Sequence, residues 1–137
     1  MAIVLSLISG LIGAIIATMI TIGYMEYGEK RNRRIFIARE KLEKVYGPLV
    51  ALKKKIDSVS STRYGFFLPS NNTEKEMIEK IIFNYYYLID SDLKEDIFLL
   101  HPELSKSDIN KVKAVQLKIE EKIFKHYNEN KDILGIK

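Results

Sequence analysis

Proton-moving chemistry in this chain would have to come from two histidines, eight tyrosines and eighteen carboxylates, because cysteine is absent. His101 and His126 are far apart in sequence, and neither has a carboxylate spaced as on a metalloprotease helix. No arginine precedes either histidine at the short spacing that small helical ribonucleases use. His101, beside Pro102, reads as a helix-end residue facing the terminal carbonyls, and His126 as a surface or boundary position. The paired carboxylates Glu120-Glu121 and Asp90/Asp92 lie among lysines and read as solvated. The seven glycines are scattered, three of them at Gly10, Gly13 and Gly23, so no phosphate-cradling loop is expected. The serines have no nucleophile elbow around them. The residues therefore predict no catalytic group, no metal ligand and no cofactor. An enzyme is not expected.

The elements that would carry such side chains begin with residues 2–25, AIVLSLISGLIGAIIATMITIGYM, a run without charge. As a helix it would be roughly 36 Å long, against a hydrocarbon core of about 30 Å. Residues 1–27 are accordingly expected to be a transmembrane anchor and 28–137 a cytoplasmic helical body. The alternative, a cleaved signal peptide, needs a basic n-region, a shorter apolar core and an Ala-x-Ala site, none of which is present. Ten Lys/Arg against four Glu in residues 26–55 put the positive charge on the C-terminal flank of the run. The positive-inside tendency then places the N-terminus outside the cell membrane. Lys30, Arg31, Arg33 and Arg34 are expected to meet anionic lipid headgroups, which compete with nucleic acid for the same cations. No recognition module favours nucleic acid.

Small residues recur along the anchor at helical spacing. Ser6, Gly10, Ala14 and Thr18 form one ladder, and Ser9, Gly13, Ala17 and Thr21 the adjacent one. Such stripes let transmembrane helices approach closely, so a homo-oligomer or pairing with another membrane protein is expected.

Beyond the basic cluster, apolar residues at Ile35, Ala38, Leu42, Val45, Leu49, Leu52, Ile56 and Val59 keep a heptad rhythm straight through Gly47-Pro48. The spacing predicts helix over 28–59, a juxtamembrane seam at Ile35, Leu42, Val45, Leu49, Leu52 and Ile56, and a kink or hinge at Gly47 and Pro48. Lys53, Lys54 and Lys55 read as a solvated face.

Residues 60–73 break the pattern and are expected to form a loop. Its apolar Tyr64, Phe66, Phe67 and Leu68 would plug the core or dock a partner. Thr73 as N-cap with Glu76 predicts a helix over about 74–90. Further helices are expected at about 92–101, capped by Asp90 or Ser91, and at about 106–128, stopped by Asn128 to Asn130. Tyr85, Tyr86 and Tyr87 in a row cannot all face a core. Lys118, Glu121, Lys122 and Lys125 read as an ordinary exposed face. The fold expected is all-α: one transmembrane helix continuing into an antiparallel bundle.

Within residues 41–52, KLEKVYGPLVAL, the set Leu42, Glu43, Tyr46, Gly47, Pro48, Leu49 and Leu52 resembles a stretch of small uncharacterised prokaryotic proteins with one N-terminal transmembrane helix and a cytoplasmic helical domain. The resemblance implies a helical, non-enzymatic body. Together these observations suggest a membrane-anchored scaffold or adaptor that self-associates through anchor and seam. The alternative is an oligomeric effector of toxin or defence type that permeabilises the bilayer.

Overall fold

The computed structural model of the chain describes residues 2–59, 72–99 and 109–136; side chains are described from Ile12 onward, except at 59, 72, 99, 109 and 111. Among the described residues there is no strand. α1 covers Ala2–Lys41, a π-turn Leu42–Tyr46, α2 Gly47–Val59, α3 Asn72–Asn84, a 3₁₀ turn Tyr86–Leu88, α4 Ser91–Leu99 and α5 Ile109–Leu134. The all-helical class expected from the periodicity is present. The chain divides into two compact units, Met1–Phe36 and Ile37–Lys137.

In the first unit, Ile12, Ile15, Ile16, Met19, Ile20 and Ile22 are exposed around α1. Thr18 Oγ1 donates to the Ala14 carbonyl and Thr21 Oγ1 to that of Ala17, each at 2.8 Å, which turns both hydroxyl protons into their own helix. Among the described residues no helix is long and apolar enough to cross a membrane. The uncharged run begins at Ala2, ten positions ahead of the first described side chain.

The second unit is held by a core of Val45, Tyr46, Leu49, Val50, Ile56, Ile78, Ile82, Leu88, Ile89, Leu93, Ile119 and Ile123. Full burial of each of the larger of these side chains contributes about 1.5–3 kcal/mol. α5 packs on the π-turn, on α2 and on α4, while α3 packs on α2 and the π-turn.

The seam is used here. Val45, Leu49 and Ile56 are buried in the chain's own core, with Leu52 packed against it and Leu42 half-buried. Val45, Leu49 and Ile56 are thereby engaged within one chain.

Gly47-Pro48 neither breaks the helix nor opens a loop. Pro48 has no N–H to give and its ring crowds the preceding turn, and the chain answers by widening that turn. The Gly47 N–H reaches back five residues to the Leu42 carbonyl. A Cβ at Gly47 would lie 2.5 Å from that oxygen, so only glycine fits the widened turn as it stands. Because a π-turn holds more residues per revolution than the α-helix, it also rotates the helix beyond it. Tyr46 and Val50, off the heptad seam in sequence, both become buried.

Three boundaries differ from expectation. α3 starts at Asn72, so Thr73 lies in its first turn rather than at its cap, and the helix ends at Asn84 instead of 90. Tyr85 leaves helical geometry at φ −119°, and the 3₁₀ turn lets the consecutive Leu88 and Ile89 both enter the core. Tyr86 and Tyr87 are left exposed, with the Lys94 ammonium 4.8 Å from the Tyr86 ring. α5 does not stop at Asn128 to Asn130. It runs to Leu134, where Gly135 at φ 68° closes it: the Gly135 N–H bonds the Asp132 carbonyl and the Ile136 N–H that of Lys131.

Candidate functional site: a buried tyrosine, aspartate and histidine cluster

Four elements bring polar side chains together beside the core. The π-turn supplies Tyr46, completely buried. The turn before α4 supplies Asp90 and the first turn of α4 supplies Asp92, while α5 supplies His126, Glu129 and Asn130. Lys41 comes from the last residue of α1, within the second unit.

Asp90 is the hub. Its carbonyl accepts from the N–H groups of Leu93 and Lys94, which makes it the residue at which α4 begins. Its side chain does not cap that helix. Asp90 Oδ2 instead accepts a hydrogen bond of 2.6 Å from the Tyr46 hydroxyl, and Oδ1 pairs with the Lys41 ammonium at 2.5 Å. The Asp90 N–H donates back to the Tyr46 oxygen at 3.2 Å, so that hydroxyl both gives and receives. Burial alone would raise the Asp90 carboxyl, but the bonds from Lys41 and Tyr46 outweigh it and hold the group below the usual carboxylate range. Tyr46 moves the opposite way: burial, and then its bond to Asp90, push the phenol well above its ordinary value.

His126 lies against the Tyr46 ring, with centroids 5.6 Å apart and the planes tilted by 33°. Its Nε2 is 2.9 Å from Asp92 Oδ1, its Nδ1 is 3.0 Å from Glu129 Oε2, and Asp90 Oδ2 is 3.7 Å from Nδ1. One turn on, Asn130 Nδ2 donates 2.6 Å to the His126 carbonyl. This buried back-bond belongs to a helix that continues, which is why the asparagines do not end it.

A second polar knot fastens the other end of α4. Asp96, only 3% exposed, pairs with Lys122 and, at 2.9 Å, with Lys118. Lys122 also donates 2.7 Å to the Asp92 carbonyl. Burial would raise Asp96, and the two lysines more than reverse that, leaving it below the ordinary range. Lys53 joins α2 to α5 through Glu120 at 3.0 Å and also meets Asp57. Lys53, Lys118 and Lys122 are thus structural partners rather than merely solvated, whereas Lys54 and Lys55 are exposed as expected. Gln116 is also buried, and its Nε2 has no hydrogen-bond partner among the described residues.

Of the residues singled out from the sequence, Gly13, Ala14, Ala17, Thr18 and Thr21 are exposed on α1, as are Lys30, Arg31, Arg33 and Arg34. Ser6, Ser9 and Gly10 belong to α1 ahead of the first described side chain, and Tyr64, Phe66, Phe67 and Leu68 lie outside the described residues. Ile35 is half-buried. His126, expected at a surface or boundary position, is interior, and Asp90, Asp92 and Glu120, expected as solvated acids, are engaged ones. Asp90 meets Lys41 and Tyr46 across 49 and 44 residues and His126 meets Asp92 across 34, beyond the reach of any local pattern; the contact of His126 with Glu129, three residues on, is local. The available signal was Tyr46-Gly47-Pro48, which marks the turn that delivers the tyrosine.

The cluster is chemically closed. Every polar atom of the Tyr46–Asp90 pair already has a protein partner, and among the described residues no group of three or more His, Asp or Glu side chains is arranged to hold a metal ion. The arrangement fixes the start of α4 on the π-turn and on α5. No protein family, curated protein or solved structure was found to match the chain.

Proposed function

We propose that the chain is a single-pass, membrane-anchored helical scaffold or adaptor without catalytic activity, self-associating through its anchor and presenting residues 37–137 in the cytoplasm. The observation that carries this reading is the uncharged run 2–25, contained in one helix whose isoleucines from Ile12 on are bare and whose C-terminal flank bears four exposed basic residues. Bare isoleucine is costly in water and costless in lipid. The basic residues suit the anionic headgroups of the cytoplasmic leaflet. With the seam engaged in the body's own core, the small-residue stripe becomes the surface through which copies, or another membrane protein, would meet.

The rival reading is an oligomeric effector that permeabilises the bilayer. The run weighs against it, because Ser6, Ser9, Thr18 and Thr21 are its only candidates to line an aqueous pore, and both threonine hydroxyl protons are already bonded to backbone carbonyls of the same helix. The test measures the mass of the detergent-solubilised chain by multi-angle scattering and the membrane potential of expressing cells, each beside the Gly10→Leu, Gly13→Leu variant. The scaffold reading expects an oligomer that the double substitution dissociates, with the potential unchanged throughout. A strict monomer would sink self-association, and a depolarisation abolished by the variant would establish the effector.

A further inference from the structure

We propose that the Asp90 carboxylate is the catch of a rotary joint: by bridging Lys41 and Tyr46 it holds the chain in the wide π-register, and release of Lys41 lets the turn close to an α-helix. The joint lies wholly within the second unit, so it stands whether or not α1 enters a membrane.

Angle is what makes the bridge selective. Lys41 and Tyr46 are five positions apart. In an α-helix each residue advances about 100°, so these two would point about 140° apart. A π-turn takes one surplus residue into the revolution and gives back about 100° of that, which leaves the pair about 40° apart. Both then reach one carboxylate: Asp90 Oδ1 meets the Lys41 ammonium at 2.5 Å and Oδ2 the Tyr46 hydroxyl at 2.6 Å.

The two arms of the bridge are unequal. Tyr46 is completely buried and is tied to Asp90 twice, through the carboxylate and through the Asp90 N–H at 3.2 Å. It stays with α4. Lys41 is half-buried, and among the described residues its ammonium bonds to Asp90 alone. Lys41 is therefore the arm that lets go. The bridge is made throughout the neutral range, because Asp90 is held below the usual carboxylate range and the Tyr46 phenol keeps its proton.

The other features of the turn do not select its register. Pro48 demands relief of the preceding turn, which a kink or a break would also supply. The Glu40–Lys44 pair has the four-residue spacing that an ordinary α-helix accommodates. Gly47 permits the wide turn, since a Cβ there would lie 2.5 Å from the Leu42 oxygen, but glycine fits an α-turn as well. The bridge is made in one register and not in the other. When it opens, residues 37–41 rotate by about a quarter revolution against Tyr46. Their covered side, now marked by buried Ala38 between exposed Ile37 and Arg39, changes with it.

A chain without cysteine allows that angle to be read directly. Spin labels are placed on Arg39→Cys and Ala51→Cys, exposed on either side of the turn, in the full chain in detergent micelles. Uninterrupted α-helix would put these positions about 120° apart, and the wide turn brings them to within about 20°. On a helix about 10–12 Å across, closing the turn lengthens their distance by roughly 5 Å, which dipolar spectroscopy resolves. The expected result is this lengthening in Lys41→Met and in Asp90→Ala, to the distance found in Gly47→Ala, where the added methyl group excludes the wide turn. Lys44→Met, which breaks only the Glu40 pair, keeps the parent distance. A second label pair, Ala51→Cys with Glu121→Cys, lies beyond the turn on α2 and α5 and does not move. The parent distance in Lys41→Met, or a spread of distances in place of a second defined one, overturns the catch. Movement of the 51–121 pair in that variant overturns it as well, since Lys41 would then hold the body together and not the register. An equal lengthening in Lys44→Met overturns the assignment to Asp90.

Discussion

Gly47 has the most exacting position in the second unit. In an ordinary helix interior, replacing glycine by alanine gains about 0.5–1 kcal/mol, because alanine has less backbone freedom to lose. Here the sign reverses, since the added methyl group would press on the Leu42 carbonyl oxygen at 2.5 Å. Gly47→Ala is expected to lower unfolding free energy by about 1–3 kcal/mol, the range of strained overpacking, as read by urea unfolding of the full chain in micelles. A stabilised variant would mean that the wide turn is not what makes the glycine necessary. The same residue separates what was legible in the sequence from what was not. Gly47-Pro48 announced a disturbance in the helix, and the heptad rhythm on either side announced that the helix would survive it. The form of the compromise was hidden, because it depends on a hydrogen bond five residues back and not on any residue's intrinsic preference. His126 was hidden more deeply. Glu129, three residues on in the same helix, was within reach of a local pattern, but Asp92, which faces the other ring nitrogen, comes from the first turn of another helix.

At the scale of elements, α4 is a nine-residue helix, too short to be stable by itself in water. Its apolar anchor is Leu93, wholly buried, with Ile97 packed beside the core. Its polar fastenings lie at both ends. At the C-terminal half, Asp96 is ionised between two lysines and its carboxyl lies below the usual range, so the linkage has a definite sign. Its contribution to stability is fully present above the unfolded-state value of about 3.9 and is lost as pH falls through the folded-state value. Asp96→Asn is expected to cost about 1.5–3 kcal/mol at neutral pH, the worth of hydrogen bonds to a charged group, and to flatten the acid limb of a stability-against-pH curve below about pH 4. An acid limb as steep as the parent's would assign it to Asp90 alone. The helices themselves were mostly readable, because apolar residues at a spacing of three and four marked α2, α3 and α5. Their ends were not. α3 stops at Asn84 so that Leu88 and Ile89 can both reach the core, a demand of packing that no cap residue encodes. The stop at Gly135 was a local signal, but the polar run Asn128 to Asn130 offered an earlier one that burial of Asn130 cancels.

For the whole molecule, the two units pose different problems. Residues 37–137 bury their own core, whereas the α1 side chains from Ile12 to Tyr27 remain exposed and are uncharged as far as Met25. The absence of cysteine makes the proposed topology directly testable, since any single introduced thiol is unique. Asp132→Cys, at an exposed position near the end of α5, is expected to react with a membrane-impermeant maleimide only after the cells are opened. Labelling of intact cells at the same rate would invert the orientation or remove the membrane altogether. The basic cluster at 30–34 made this expectation readable from charge alone, whereas the identity of whatever the body holds has no counterpart in residue spacing.

The π-turn also bears on how this chain would be compared with others. It behaves as one surplus residue accommodated within a helix, and everything from Tyr46 onward takes its angular position from that surplus. A related chain with an uninterrupted α-helix here would align with a single-residue gap within 42–46. Without a compensating change, its counterparts of Tyr46 and Val50 would turn toward solvent. The gap, and not the count of matching residues on either side, would then mark whether that chain keeps the tyrosine at the aspartate.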